Sequence, residues 1–254
     1  MAFPNLKNKH LGNSIINPKH TLSHHRNERP KYAPPHSVIF IFSRSLQNYI
    51  ATHYKVRKVK FFGLELYLLK DSKNQIAVTT RFGIGSPMIA SHMEELIAFG
   101  VKKFLIIGSA GSLQKNLKVG NIIVCDKAIR DEGTSHHYFK SGKYAYASKS
   151  LVKKAEEVLK KSKIKYTKGA SWTIDAPYRE TVAEVKKYQK EGVLTVEMEA
   201  SAAFAVAKYR GVEAGAIFTV SDYLGELDWK PKFHLTAKYL KKLFKVAKEV
   251  LAKD

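Results

Sequence analysis

From residue 37 onward, short runs of consecutive apolar residues alternate with longer stretches in which apolar residues recur every three or four positions. The short runs, rich in Ile, Val, Leu and Phe, have the length and composition of strands. The longer stretches carry one apolar face and one Lys-rich face, as amphipathic helices do. The pattern predicts strands over 38–42, 60–69, 75–80, 103–107, 121–125, 169–172, 193–196 and 214–220, and helices over 45–53, 87–99, 149–161, 181–190, 197–209 and 235–252. Strands alternating with helices argue for a single α/β domain whose sheet is flanked by helices on both faces. Residues 1–36 differ: they hold five of the eight Pro and five of the ten His, with little apolar period. They read as an irregular basic arm ahead of a domain over 37–254.

Composition adds a few exclusions. A chain of 254 residues, 44% hydrophobic, can bury a sizeable core without disulfides. Its apolar runs are broken by Lys, Gly or Glu well short of the roughly 20 residues a membrane-spanning helix needs, so no membrane association is expected. No apolar stretch follows a basic start, and Cys125 is the one cysteine. Neither a secretory leader nor a disulfide framework is expected, and a reducing cytoplasm fits. The formal charge of +22 admits a surface for polyanions or a Lys-rich exterior around a site for small anions. The Lys gather over 149–163 and 238–253 with apolar residues on the opposite face, and no zinc spacing, recognition helix or RNA-binding aromatic pattern accompanies them. Small anionic substrates are the expectation, and nucleic acid is not. His20, His24 and His25 read as solvated polar side chains, and no metal is expected.

Four segments carry candidate chemistry. In Arg81-Phe82-Gly83-Ile84-Gly85-Ser86-Pro87, two glycines precede a helix start, with Ser86 suited to the N-cap and Pro87 to the first helical position. Backbone N–H groups there can meet an anion, or the glycines are ordinary punctuation. Gly108-Ser109-Ala110-Gly111 follows the strand over 103–107 and reads as a second glycine turn at a strand's carboxyl end, where ligands collect in α/β sheets. Glu197 and Glu199 stand where a strand runs into a small-residue helix. Glu199 can accept from two vicinal hydroxyls, as on ribose, or both can serve the helix dipole. Asp222 ends an apolar strand between Phe218 and Tyr223, placed to donate a proton or to cap a turn.

Together with Arg130-Asp131-Glu132-Gly133-Thr134-Ser135 and Asp175-Ala176-Pro177-Tyr178-Arg179-Glu180, these segments resemble, in order, the nucleoside phosphorylase family, which includes purine nucleoside phosphorylase, uridine phosphorylase and the methylthioadenosine nucleosidases. The likeness runs over about residues 37–252, and the blocks at Arg130 and Asp175 look nearest to the uridine-phosphorylase-like branch. It implies a central mixed, partly barrel-like sheet. It implies that Met198 and Glu199 hold ribose, that Ser109 and Gly85 line the phosphate side, and that Asp222 protonates a purine at N7. Tyr178, with Trp172, would stack on the base, and Ser221 would contact it. Arg57 would reach the phosphate site of a neighbouring subunit in a dimer-based homo-oligomer such as a hexamer. No cofactor is implied, phosphate being a co-substrate.

The chain also departs from the family. The Gly-Asp-Pro-x-Arg loop usual after the first strand reads Phe42-Ser43-Arg44-Ser45-Leu46, and Ile106 stands where Arg often precedes the second glycine segment. Arg44, Arg57 or Arg81 would have to substitute. Phosphorolysis of a ribonucleoside, with purine favoured over uridine, is the reading adopted. Hydrolysis of the same bond is the alternative, and a non-catalytic nucleoside- or nucleic-acid-binding relative is the third.

Overall fold

The computed structural model describes Pro4, Leu6 and residues 8–24, 30–80 and 83–252. Among them run eleven strands in one sheet: β1 (Ser37–Ile41), β2 (Val56–Phe61), β3 (Leu64–Leu69), β4 (Ile76–Thr80), β5 (Lys103–Ser112), β6 (Ile122–Asp131), β7 (Tyr144–Tyr146), β8 (Tyr166–Ile174), β9 (Thr195–Glu197), β10 (Glu213–Tyr223) and β11 (Lys230–Pro231). Seven helices accompany them: α1 (Pro18–His24), α2 (Arg44–His53), α3 (Ser86–Phe99), α4 (Lys149–Lys161), α5 (Val182–Lys190), α6 (Ala200–Arg210) and α7 (Ala237–Leu251).

The strand order is β11-β10-β6-β8-β9-β5-β1-β4-β3-β2, and β10 pairs with β5 as well. That extra pairing closes β10, β6, β8, β9 and β5 into a five-stranded barrel with mixed directions. The wing β1-β4-β3-β2 extends from β5. Alternate residues of a strand face opposite sides, and the core follows that period. Val38, Phe40, Phe104 and Ile106 enter one core with Ile89 and Met93 of α3 and Phe204 of α6. Ile39, Ile41, Leu105 and Ile107 enter the other with Ile50 of α2, Leu151 of α4 and Phe244 of α7. Helices therefore cover both faces, as the alternation predicts. A third, smaller core holds Trp172, Val185 and Tyr188, where α5 meets the end of β8.

Several expectations are corrected. The single strand predicted over 60–69 is the hairpin of β2 and β3, turning at Phe62 with φ 43°. Gly108-Ser109-Ala110-Gly111 is no turn: β5 runs through it, because β1, β9 and β10 supply ladder partners along its length. The helix predicted over 197–209 begins at Ala200, since Glu197 still belongs to β9. The arm is not wholly irregular, for α1 lies on α3 and Leu22 packs against the first core. His25, of the arm histidines, lies outside the described residues. No helix among those described is long and apolar enough to cross a membrane.

Candidate active site

After β4 the chain turns through Gly83 and Gly85, at φ 89° and 97°, into α3. Residues with a Cβ avoid such angles, which accounts for glycine at both places. Gly85 takes the N-cap position. Ser86, predicted as the cap, is the first helical residue, and its hydroxyl donates to the Met198 carbonyl at 2.8 Å. The Gly85 N–H donates to Glu199 Oε1 at 2.6 Å. The donor expected to face phosphate is thus spent on the chain's own carboxylate, so Gly85 supports Glu199 instead.

Glu197 and Glu199 divide the work of the junction. Glu197 Oε2 accepts the N–H groups of Glu199 and Ala200 at 2.8 and 2.7 Å, and its Oε1 accepts from Thr173 Oγ1 at 2.5 Å. It caps α6, the structural role a first-turn carboxylate is suited to. Burial pushes its carboxyl up to about 7. Glu199 is only 6% exposed, and burial first, then the charge of Glu197, pushes its carboxyl up to about 8.

Asp222 reaches the same region from β10. The register of β10 on β5 slips between Val220 and Asp222, a bulge at Ser221 that re-aims the residue after it. Asp222 pairs with Gly111 on one side of β5, and Val196, which leads into Glu197, pairs with Gly111 on the other. A Cβ on Gly111 would stand 3.1 Å from both Asp222 Oδ2 and Val196 Cγ1. One glycine therefore lets the two carboxylate-bearing segments close on β5 from both sides. Asp222 is 7% exposed; its Oδ1 accepts from Ser221 Oγ at 2.6 Å and its Oδ2 from Trp229 Nε1 at 2.9 Å. Phe218 is committed to the first core and the Tyr223 hydroxyl to the Val119 N–H, so the aromatic on the acid is Trp229. Glu180, half-buried, is pushed up to about 7 by burial first and by the charge of Asp222 second. Neither Trp229 nor Glu180 carries a periodic signal that would have marked it in the sequence.

Ser109 stands exposed on β5 and lines a cavity of about 420 Å³ with Phe42, Ser43, Ser45, Phe233, His234 and Thr236. The first turns of α2 and α7 open onto this space. Ser43 caps α2, its Oγ accepting the Leu46 N–H at 3.3 Å. Arg44 is exposed at the first residue of α2. Arg57 is exposed on the outer strand β2 with its guanidinium 6.0 Å from the centre of the Tyr32 ring. Arg81 lies outside the described residues. A larger cavity, about 580 Å³, opens at the other end of β1 and β4 beside Lys73 and Lys248, and none of the predicted site residues line it.

The base-contacting residues implied by resemblance fare differently. Trp172 is 0% exposed, packs on Tyr188 and donates its indole N–H to Asp131 Oδ2, so it offers no face to a base. Tyr178 is 98% exposed on a short 3-10 turn, where nothing encloses a ligand on it. Ser221 is 1% exposed and its hydroxyl serves Asp222. The block at Arg130 is a buried clamp: Arg130 donates to Ser135 Oγ at 2.8 Å, while Glu132 accepts from the Ser135 N–H and from Ser201 Oγ on α6.

Residues 42–252 match the family model of the phosphorylase superfamily. Purine nucleoside phosphorylases of the DeoD type from Bacillus cereus and Bacillus thuringiensis are 35% identical over 144 residues, 56% of this chain. The match spans 61% of the length of those relatives. The uridine phosphorylase of Vibrio fischeri ES114 superposes with a TM-score of 0.73 at 26% identity, covering 87% of this chain and 93% of that one. The purine nucleoside phosphorylase of Toxoplasma gondii in complex with immucillin-H superposes with a TM-score of 0.76 at 20% identity, over 89% and 94% of the two chains, a likeness of fold.

Proposed function

The chain belongs to the phosphorylase superfamily, and from that premise we propose that it cleaves the N-glycosidic bond of a ribonucleoside with phosphate, giving free base and ribose 1-phosphate. One observation carries the reading: the segment that leads into Glu199, which is held by the Gly85 N–H, pairs with Gly111 of β5 through Val196, and Asp222, re-aimed by the bulge at Ser221, pairs with the same glycine from the other side. Bond cleavage that builds positive charge on the ribosyl ring needs a grip on the sugar and a proton for the departing base. Glu199 suits the first, accepting from the 2′ and 3′ hydroxyls beside Met198. Asp222 suits the second, donating to N7 of a purine, and this favours purine over uracil, which has no N7.

For the nucleophile, the cavity at Ser109 offers the hydroxyls of Ser43, Ser45, Ser109 and Thr236 and the imidazole of His234 at the starts of two helices. That environment is polarised toward an anion. Arg57 would complete it from a neighbouring copy in a dimer-based assembly such as a hexamer, working in the cytoplasm without a cofactor. Hydrolysis is the second reading, favoured by one observation: no arginine lines this cavity among the described residues. Release of free base from inosine, adenosine, guanosine, uridine and methylthioadenosine, each with and without phosphate, tests both. Phosphate-dependent release of purine base with ribose 1-phosphate is expected. Undiminished release without phosphate, yielding ribose, would establish the hydrolase, and release from uridine alone would remove the purine assignment.

A further inference from the structure

Resting on the proposed glycosidic cleavage, we infer that Trp229 is the residue that positions the acid: its indole N–H fixes Asp222 Oδ2 as an acceptor, so that the proton given to the base leaves from Oδ1, while its ring forms one wall of the base site. The chemistry of the contact makes the assignment. An indole N–H only donates, so the oxygen facing it is held as an acceptor. Oδ2 faces Trp229 at 2.9 Å, and Oδ1 faces Ser221 Oγ at 2.6 Å. A hydroxyl both donates and accepts, so Ser221 can rotate to accept whenever Oδ1 carries a proton and turn back to donate once that proton has gone. In the transfer, the Asp222 Oδ1–H bond breaks and an N7–H bond forms on the purine. The electron pair of the C1′–N9 bond passes into the base, and the ribosyl carbon is taken by phosphate.

The placement of the ring supports the second half. Trp229 remains 60% exposed although its N–H is engaged, whereas Trp172 is 0% exposed. Its ring meets Phe233 edge-on at 6.4 Å, and Phe233 lines the cavity of Ser109. An open aromatic face thus lies between the acid and the proposed phosphate side, where a flat base would stack. The segment is anchored where this geometry needs it: β11, which follows Trp229 directly, pairs Pro231 with Asp222 and Lys230 with Tyr223, and the Lys232 N–H donates to the Ser221 carbonyl at 3.0 Å. The half-buried Glu180, which feels the charge of Asp222, adds a second reason to fix one oxygen of the pair.

Trp229→Phe keeps an aromatic face and removes only the N–H donor. One hydrogen bond to a charged group is worth about ten- to a hundredfold in rate. The variant should therefore lower kcat on inosine by about tenfold or more with little change in KM. On 7-methylguanosine, whose attached base already carries a positive charge and departs as a neutral molecule without a proton, the loss should be at least tenfold smaller, the selectivity that Asp222→Asn should show in larger measure. Trp229→Ala should raise KM on both substrates as well. Because Trp172 is buried, emission accessible to iodide reports on Trp229, and saturating hypoxanthine should quench it and shield it. Equal losses on the two nucleosides, no loss on either, or emission indifferent to hypoxanthine would overturn the assignment. A wild-type protein that releases no base from either nucleoside would instead sink the cleavage reading on which it rests.

Discussion

At the scale of one residue, the burial of Glu199 bears directly on its proposed grip on ribose. Its carboxyl lies beside Glu197, takes the Gly85 N–H and is pushed up to about 8, so a pair of hydroxyls donating to it would favour its ionised form and be gripped the more strongly for it. Glu199→Ala should lower activity on ribonucleosides far more than on 2′-deoxyribonucleosides; equal losses on the two sugars, measured as kcat/KM, would remove the ribose role. The same burial has a consequence for stability. Glu197 and Glu199, pushed up to about 7 and about 8 from 4.5, keep their protons in the folded chain at pH values where the unfolded chain has released them. Their contribution is fully present below pH 4.5 and is lost as pH rises through 7 to 8, because the folded state binds more protons across that window. The Tm of the ligand-free protein should fall between about pH 5 and 8.5, and Glu199→Gln, which cannot ionise, should show a shallower fall. Parallel curves for variant and wild type would contradict the raised carboxyl.

Among the elements, the junction of β8, β9 and α6 decides where the carboxylates sit. Thr173 on β8 is its hinge pin: its hydroxyl donates to Glu197 Oε1 and accepts the Ser201 N–H at 3.0 Å. Thr173→Val preserves shape but leaves two buried polar groups unpaired. The expected cost is about 2–3 kcal/mol, or roughly 5–10 °C in Tm for a chain of this size. A shift under about 1 °C in a thermal melt would show that the junction does not depend on this hydroxyl. The sequence pattern places β8, β9 and α6 correctly in order, yet it reads Glu197 as helical, because a carboxylate that caps from the end of a strand looks the same as one in a first turn. The glycines of β5 misled for a related reason. Gly108 and Gly111 look like a turn, but both lie within β5, and at Gly111 a Cβ would stand 2.6 Å from Leu224 Cδ1, too close for a side chain.

For the molecule as a whole, the proposed phosphorolysis raises the question of where the phosphate would find positive charge. Arg57 lies on β2, three strand spacings from β1, or roughly 14 Å, so within one chain it stands far from the cavity that Ser43 helps to line. If a neighbouring copy supplies it, Arg57→Ala should raise the apparent KM for phosphate with little effect on binding of free base. Specific activity should also decline on dilution as the assembly dissociates. Phosphate kinetics untouched by Arg57→Ala would place the anion's charge elsewhere, with Arg44 the next candidate. The +22 charge of the chain works in the same direction at longer range, drawing small anions toward the protein at low ionic strength.

The sequence by itself determined the class of fold and the order of its elements, and it singled out Glu199 and Asp222 as candidates, because apolar period, helix caps and short ordered motifs are local properties of the chain. Ser109 was legible in the same way, although its setting as a strand residue was not. Only the tertiary structure decided the closure of the barrel, which rests on the pairing of β10 with β5 across about a hundred residues of chain. It alone turned the Gly85 N–H onto Glu199, withdrew Trp172 into the core and brought Trp229 onto Asp222. Nothing local distinguishes a buried tryptophan from one at a site. Which of the two meets the acid depends on the bulge at Ser221 and the return of β11 along β10, contacts that form only when distant segments fold against one another.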